Sequence, residues 1–253
     1  MGVAVGTALV VLAGAAVRTF FPGTWRSLMG RLDGDGKDAA SDRAREGFAR
    51  AEASLPALFA GRGCKYPPAR LALVAIKDEK RLELWAPGRG RTDGGDGGGG
   101  DAEEGWRLVK TYPILAASGH AGPKLREGDR QVPEGLYRVV FLNPRSQFHL
   151  SMKVDYPNDF DREMGRRDGR ANLGGDIFIH GESVSIGCLA IGNQPIEELY
   201  RLVEKTGKER VRVLIAPWDF RKPGARTAPP PGAPEWTGEL YGRLRRELAA
   251  FRE

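Results

Sequence analysis

Residues 71–76 read Leu-Ala-Leu-Val-Ala-Ile, and this unbroken apolar run constrains the fold more than any other stretch of the chain. Leu71, Leu73 and Ala75 alternate with Ala72, Val74 and Ile76, so the run is predicted to be a strand buried on both faces. Residues 81–86 (RLELWA) alternate as a half-exposed strand does, and the two strands form a hairpin over Asp78–Lys80. Strand patterns return at Trp106–Pro113, Leu136–Leu142 and Phe148–Tyr156, then at 176–180 (DIFIH) and 210–216 (RVRVLIA). One clear helix interrupts them, 195–206, with Pro195 at its first position. The core from 69 to 219 is therefore expected to be mainly β (β-rich α+β), without βαβ alternation and without internal repeats.

The flanks read differently. Residues 3–17 are apolar or small without interruption until Arg18. That is short of the about 20 residues a full span needs, but long enough for the core of a signal peptide. No Lys or Arg precedes it, so residues 1–22 are read as either a signal peptide or an N-terminal membrane anchor. Both readings export the bulk of the chain to the periplasm or cell envelope, and the second gives membrane association through the N-terminus. Residues 23–68 are expected to be linker and helix. The Gly/Asp-rich stretch 31–41 is the linker, and the helix runs from Ser41 to Ala60 with Ser41 as N-cap and Gly61 as stop. Residues 88–105 are low-complexity and expected to be a disordered loop, and 157–175, charged and Gly-rich, a second loop. Residues 220–253 are a Pro-rich spacer and a basic helix over 235–252 that packs Leu240, Leu244 and Leu248 on the core.

A net charge of +6 suits an anionic partner without choosing one, and no motif points to nucleic acid, which is not expected as a partner. Cys64 and Cys188 do not make a disulfide framework. With His120, His149 and His180 they are too scattered for zinc, so no metal and no cofactor are expected.

The chemistry concentrates in residues 176–193, DIFIHGESVSIGCLAIGN. A strand delivers His180 to its end, and a Gly-rich turn leads back to Cys188. Eight residues separate the two, enough for the chain to double back and bring imidazole and thiol within hydrogen-bond reach. The thiolate, not the thiol, is the nucleophile, and an imidazole held in one tautomer can take its proton. A backbone carbonyl can hold that tautomer, since Glu182 is the sole acid close by. Gly187 lets a substrate approach the backbone, and the Cys188 N–H suits an oxyanion hole. A thiol activated in this way should alkylate faster than Cys64 below neutral pH. On residue types alone, a cysteine in an apolar segment is more often a small buried hydrophobe.

IHGESVSIGCLA resembles the active-site motif of the L,D-transpeptidase (YkuD-type) family, a His-Gly followed by Ser-x-Gly-Cys. GPKLREGDRQVPEGLYRV (122–139) resembles a second segment of that family, and NPRSQFHLSMKVDYPN (143–158) resembles its YafK-like branch. The resemblance spans residues 70–218. It implies a YkuD-like catalytic domain with a sandwich-like mixed sheet and flanking helices. It also implies a metal-free cysteine acyltransferase acting on peptidoglycan stem peptides. Cys188 would attack the diaminopimelate carbonyl and form a thioester; an amine or water would resolve it. His180 maps to the base and Gly181 to the residue whose carbonyl orients it. Ser185, Gly187 and Cys188 map to the turn. Ile186 stands where many members carry a second histidine, and the His-to-Cys spacing is shorter than in many, as in the YafK-like branch.

His149 and Ser151 are expected to share a strand face with Lys153 and, by the resemblance, to line the substrate cleft beside Tyr156 and Asn158. Lys124 and Arg126 are candidates for substrate carboxylates, and His120 reads as a loop residue. Two rivals stand beside the transpeptidase: a hydrolase or amidase using the same Cys-His pair, and an inactive envelope-anchored wall-binding module.

Overall fold

The computed structural model describes residues 34–88 and 105–252, with side chains from Ala44 onward. The expected signal or anchor segment, and the low-complexity loop except for its two ends, lie outside the described residues. The elements are α1 (Gly34–Gly61), β1 (Leu71–Ile76), β2 (Arg81–Pro87), β3 (Trp106–Pro113), β4 (Ala116–Ala117), β5 (Gly135–Ser146), β6 (His149–Val154), α2 (Asp159–Arg167), β7 (Phe178–His180), β8 (Leu189–Ala190), α3 (Asn193–Thr206), β9 (Val211–Ala216) and α4 (Thr237–Leu248).

Nine strands form one mixed sheet in the order β3-β2-β1-β9-β5-β6-β7-β8-β4. The twelve-residue β5 is its hinge: Gly135–Arg138 pair with β9, and Val139–Ser146 pair with β6 through two register shifts. Bulges of this kind bend a strand and sharpen its twist. The inner faces of both halves accordingly meet in one core. Leu73, Leu84 and Val213 from the first half join Leu150, Met152, Ile179 and Leu189 from the second. The architecture is β-rich with flanking helices, as the strand patterns imply.

β1 is buried on both faces, each covered by different helices. Leu71, Leu73 and Ala75 pack against α1 (Ala51, Leu55, Phe59) and α3 (Leu199, Leu202, Val203). Ala72, Val74 and Ile76 pack with Leu240, Leu244 and Leu248 of α4 and with Phe251.

The elements differ from the expectations in four places. The stretch 157–175 is not all loop, because α2 occupies 159–167. Its start signal is a reciprocal cap: Asn158 Oδ1 accepts from Asp161 N (3.1 Å), and Asp161 Oδ2 accepts from Asn158 N (2.9 Å). Only Met164 and Gly165 of that helix are buried, so it carries no apolar stripe to read. α1 extends back to Gly34, placing Ser41 inside it rather than at its N-cap. α3 begins at Asn193 after Gly192, which adopts φ +86°, two residues ahead of Pro195. The two-residue strands β4 and β8 leave no periodic signal.

Candidate active site

The face of β6, β7 and β8 turned away from the core can be read from register. Leu150, Met152, Ile177, Ile179, Leu189 and Ile191 enter the core. Alternation sends Ser151, Lys153, Phe178, His180, Cys188 and Ala190 to the opposite face. Ser151 pairs with His180 across β6–β7, and His180 pairs with Ala190 across the parallel β7–β8 ladder. Lys153 pairs with Phe178, and one step before that ladder Cys188 falls beside Phe178. His180 and Cys188 thus lie diagonally on one face, a relation that separates Cβ atoms by about 7–8 Å.

The surroundings of His180 fix its chemistry. Its side chain is buried, and Nδ1 lies 2.6 Å from the Gly181 carbonyl. A carbonyl can only accept, so Nδ1 carries the proton and Nε2 is left as the basic nitrogen. The Phe148 ring lies 4.6 Å from the imidazole, centroid to centroid. Burial pushes the imidazole below its ordinary pKa, against the pull of the Gly181 carbonyl and Glu182. His180 is therefore neutral at pH 7. A side chain at Gly181 would collide with Asn193 Oδ1 at 2.6 Å and the Phe148 carbonyl at 2.7 Å.

Cys188 is 6% exposed, and its Sγ lies 3.8 Å from the Asp176 carbonyl. The expected direct hydrogen bond between imidazole and thiol is not formed: the thiol is engaged by Asp176 and the imidazole by Gly181. Burial pushes the thiol up to about 11, opposed by the Phe178 backbone N–H and the Lys124 charge. This corrects the expectation of an activated, low-pKa thiol, because desolvation of the sulfur outweighs the groups that favour its anion.

The turn between them is tied from inside. Ser185 Oγ donates to the Cys188 carbonyl (2.7 Å) and accepts from Gly187 N (3.3 Å) and Ser118 N (3.2 Å). Gly187 adopts φ +134°, a conformation open to glycine. The Glu182 N–H donates to Asn193 Oδ1 (2.8 Å), while Asn193 Nδ2 donates to Glu182 Oε1 (3.1 Å). Leu115, Val184 and Ile186 rim the turn as exposed apolar side chains.

The remaining residues divide. Ser151 is buried beside His180. His149 does not join it: φ +70° breaks the alternation, and its Nε2 lies 2.8 Å from Glu197 Oε1 on α3. Tyr156 is core, its hydroxyl donating to the Leu173 carbonyl at 3.0 Å. Asn158 caps α2 and donates to the Leu136 carbonyl. Lys124 is buried and committed to Asp129 at 2.5 Å and the Arg126 carbonyl at 2.9 Å. The Arg126 backbone N–H donates to Asp129 in the same exposed turn. His120 is an exposed loop residue bonded to the Ala121 carbonyl. Among the described residues, no group of three or more His, Cys, Asp or Glu could hold a metal.

Sequence reading missed Ser118, Phe148, Asp176 and Asn193 at this site. Ser118, Asp176 and Phe148 act through backbone or stacking geometry, and none carries a spacing signal. Asn193, five residues past Cys188, could have been noted as a polar residue heading α3.

Residues 101–215 match the family model described as YkuD, the L,D-transpeptidase catalytic domain. That stretch of the chain is similar to the YkuD family. The match begins after β1 and β2, which are nonetheless hydrogen-bonded into the same sheet. The protein named "Putative L,D-transpeptidase YafK" from Escherichia coli K12 is 38% identical over 120 residues, covering 46% of each chain. The chain thus spans about half the length of the curated relatives it matches. Among solved structures it resembles the helical cell shape determining protein Pgp2 of Campylobacter jejuni (21% identity, TM-score 0.44, 58% of this chain and 47% of that one). It also resembles Bd1075 of Bdellovibrio bacteriovorus (20% identity, TM-score 0.40, 72% and 55%). Likenesses of that size say nothing of the chemistry at Cys188, which rests on the residues of this chain.

Proposed function

We propose that this chain transfers acyl groups on peptidoglycan stem peptides, with Cys188 as nucleophile and His180 as base. The observation that carries the reading is the tautomer lock. The Gly181 carbonyl holds the proton on Nδ1 of a buried, neutral imidazole, and the sole buried thiol on its sheet face lies one diagonal step away. The match of residues 101–215 to the YkuD family model and the likeness to YafK support the substrate class.

In the first half-reaction the thiol leaves the Asp176 carbonyl and gives its proton to His180 Nε2 as sulfur attacks the diaminopimelate carbonyl carbon. The Cys188 N–H faces the developing oxyanion. The carbon–nitrogen bond to D-alanine breaks, and its nitrogen takes the proton from the imidazolium. In the second, an acceptor amine attacks the thioester and passes a proton to His180. The new amide forms, the carbon–sulfur bond breaks, and sulfur regains its proton. Water in place of the amine gives the hydrolase outcome. A thiol that rests protonated makes His180 a general base acting during attack, rather than the partner of a preformed thiolate.

Acting on wall peptides requires export, for which residues 1–22 serve as signal peptide or anchor. No described helix is long and apolar enough to cross a membrane.

Mass spectrometry of muropeptides incubated with the protein, beside Cys188→Ala, tests the reading. Cross-linked or amine-exchanged products that vanish in the variant are expected. Cysteine-dependent cleavage without new bonds makes it a hydrolase, and spectra indifferent to Cys188 overturn the assignment.

A further inference from the structure

Lys153 occupies the same row of the site face as Cys188. Across the strands run Phe141, Lys153 and Phe178, with Cys188 one step beyond. Two strand spacings put Lys153 roughly 10 Å from the nucleophile. Its ammonium lies 6.0 Å from the centre of the Phe178 ring and 2.6 Å from Asp176 Oδ1. The pair is open to solvent: Lys153 is 33% exposed and Asp176 40%. Lys124, the other lysine near the thiol, is only 5% exposed and already bound to Asp129.

Asp176 is what ties Lys153 to the chemistry. Its backbone is left-handed, φ +54°, which a non-glycine residue holds only when its surroundings impose it. Its side chain goes to Lys153 and its carbonyl to Cys188 Sγ. One residue thus couples a solvent-facing ammonium to the engaged nucleophile. An ion pair so exposed is weak enough for a second carboxylate to compete.

We propose that Lys153 is the specificity-determining cation of this site: a donor carboxylate arriving at its ammonium displaces Asp176 and frees the Cys188 thiol for attack. This rests on the acyl-transfer reading above. In a diaminopimelyl-D-alanine donor the carboxylate at the far end of the diaminopimelate side chain suits the span, since the D-alanine carboxylate lies only a few bonds from the attacked carbonyl. Phe178 lies between the two points as an apolar floor, and Phe141 borders Lys153 on its other side.

The test uses the full chain and three stem tetrapeptides ending in diaminopimelyl-D-alanine: one unmodified, one amidated on the diaminopimelate side-chain carboxyl, one amidated at the C-terminus. Acylation of Cys188 is followed by intact-protein mass spectrometry. Loss of a charge-assisted bond predicts that wild type favours the unmodified donor over the side-chain amide by at least about tenfold. In Lys153→Met the preference should fall below about twofold, and Lys153→Arg should keep it. C-terminal amidation should leave the preference unmoved. Separately, iodoacetamide should label Cys188 about two- to fivefold faster in Lys153→Met and in Asp176→Asn, the range set by breaking an exposed pair. A preference retained in Lys153→Met, or one following the C-terminal carboxyl, overturns the assignment. An unchanged labelling rate overturns the coupling through Asp176. If wild type forms no adduct with any donor, the acyl-transfer reading falls, and the labelling rates still judge the hold of Lys153 and Asp176 on the thiol.

Discussion

The sheet has two ends built on different terms. Around β1 the ladders to β2 and β9 run in unbroken register and both faces are covered, by α1 and α3 on one side and α4 on the other. Around β6, β7 and β8 the core takes one face, the other carries buried Ser151, His180 and Cys188 beside half-buried Lys153 and Phe178, and the backbone departs from ordinary values. His149, Asp176 and Glu182 all adopt positive φ there, with Gly187 at +134°. The first end is mostly apolar volume, with a charged cluster of Arg81, Glu83, Asp219 and Arg221. The second holds strained residues by specific partners: Glu197 for His149, Lys153 for Asp176, Asn193 for Glu182. Regular pairing supplies rigidity, and the strained corner spends some of it on aiming a carbonyl at a thiol and another at an imidazole.

The two ends are joined by a buried ion pair. Lys77, just after β1, donates to Glu134 Oε1 (2.9 Å) and to the carbonyls of His120 (2.8 Å) and Val132 (3.1 Å). Glu134 also accepts from Gly122 N and from the Tyr241 hydroxyl of α4. This hub fixes the loop that presents Ser118 to Ser185. Burial holds the Lys77 ammonium below its ordinary pKa despite Glu134. Glu134→Gln leaves that cation buried without a counter-charge and should cost about 3–5 kcal/mol, lowering Tm by about 6–20 °C. If thermal melting barely moves, the ends are independent and the hub is not what joins them.

A smaller effect should separate the ends. Gly181→Ala puts a methyl against Asn193 Oδ1 and the Phe148 carbonyl, both under 3 Å. Overpacking of this kind costs about 1–3 kcal/mol. The carbonyl that locks the His180 tautomer moves with it, so Cys188-dependent turnover should fall more than the melting temperature. Equal losses in both would make Gly181 a packing residue only.

The pH profile sharpens the site further. His180 titrates below its ordinary value because burial disfavours its charge, so the neutral base persists to below pH 6.5. Sign follows from that: kcat/KM should be flat at neutral pH and fall about tenfold per unit only once His180 protonates. The same depressed pKa means the unfolded chain binds a proton before the folded one. The contribution of His180 to stability is therefore full above pH 6.5 and lost as pH falls below it. On the basic side the Cys188 thiol keeps its proton to about 11, so no thiol-titration limb is expected below about pH 10. An alkaline limb near pH 8, where an imidazolium loses its proton, together with an acidic limb well below pH 7, would instead mean a thiolate–imidazolium pair.

This contrast also explains what the residues disclosed before the fold was known. LALVAI announces a strand buried on both faces, and it is one; RLELWA reads as half-exposed, but Glu83 and Trp85 are buried with Leu82 and Leu84 because Arg221 and the Trp85 indole satisfy the Glu83 carboxylate. His180, Gly181, Ser185, Gly187 and Cys188 stood out because the chemistry needs those types in that order. The failures lie where a single backbone angle decides. Alternation assigned His149 to the face of Ser151, and one left-handed residue sends it to Glu197 instead. Asp176 meets Cys188 through its carbonyl, which every residue possesses, and its carboxylate meets Lys153 through a fold that no spacing announces. α2 escaped notice because an Asn/Asp cap starts it and almost no apolar residue marks it.

The smallest effect tests the comparison most directly, by making one substitution at both ends. Lys80 in the β1–β2 hairpin has φ +48°, and Glu182 beyond His180 has φ +57°. A left-handed non-glycine residue is strained by about 1 kcal/mol, which glycine relieves while giving back part of the gain as unfolded-chain entropy. Lys80→Gly should therefore stabilise by a few tenths of a kcal/mol, roughly the balance of those terms, since its turn keeps the Lys80 N–H to Lys77 carbonyl bond. Glu182→Gly gains the same relief but loses the carboxylate that accepts from Asn193 Nδ2, so its stability should be unchanged or lower. Denaturant midpoints of the two variants measure the difference, and iodoacetamide labelling of Cys188 reports whether the turn loosens in Glu182→Gly alone. Equal stabilisation by both, with labelling unchanged, would mean that the site's strain is idle and its partners hold nothing that the hairpin's do not.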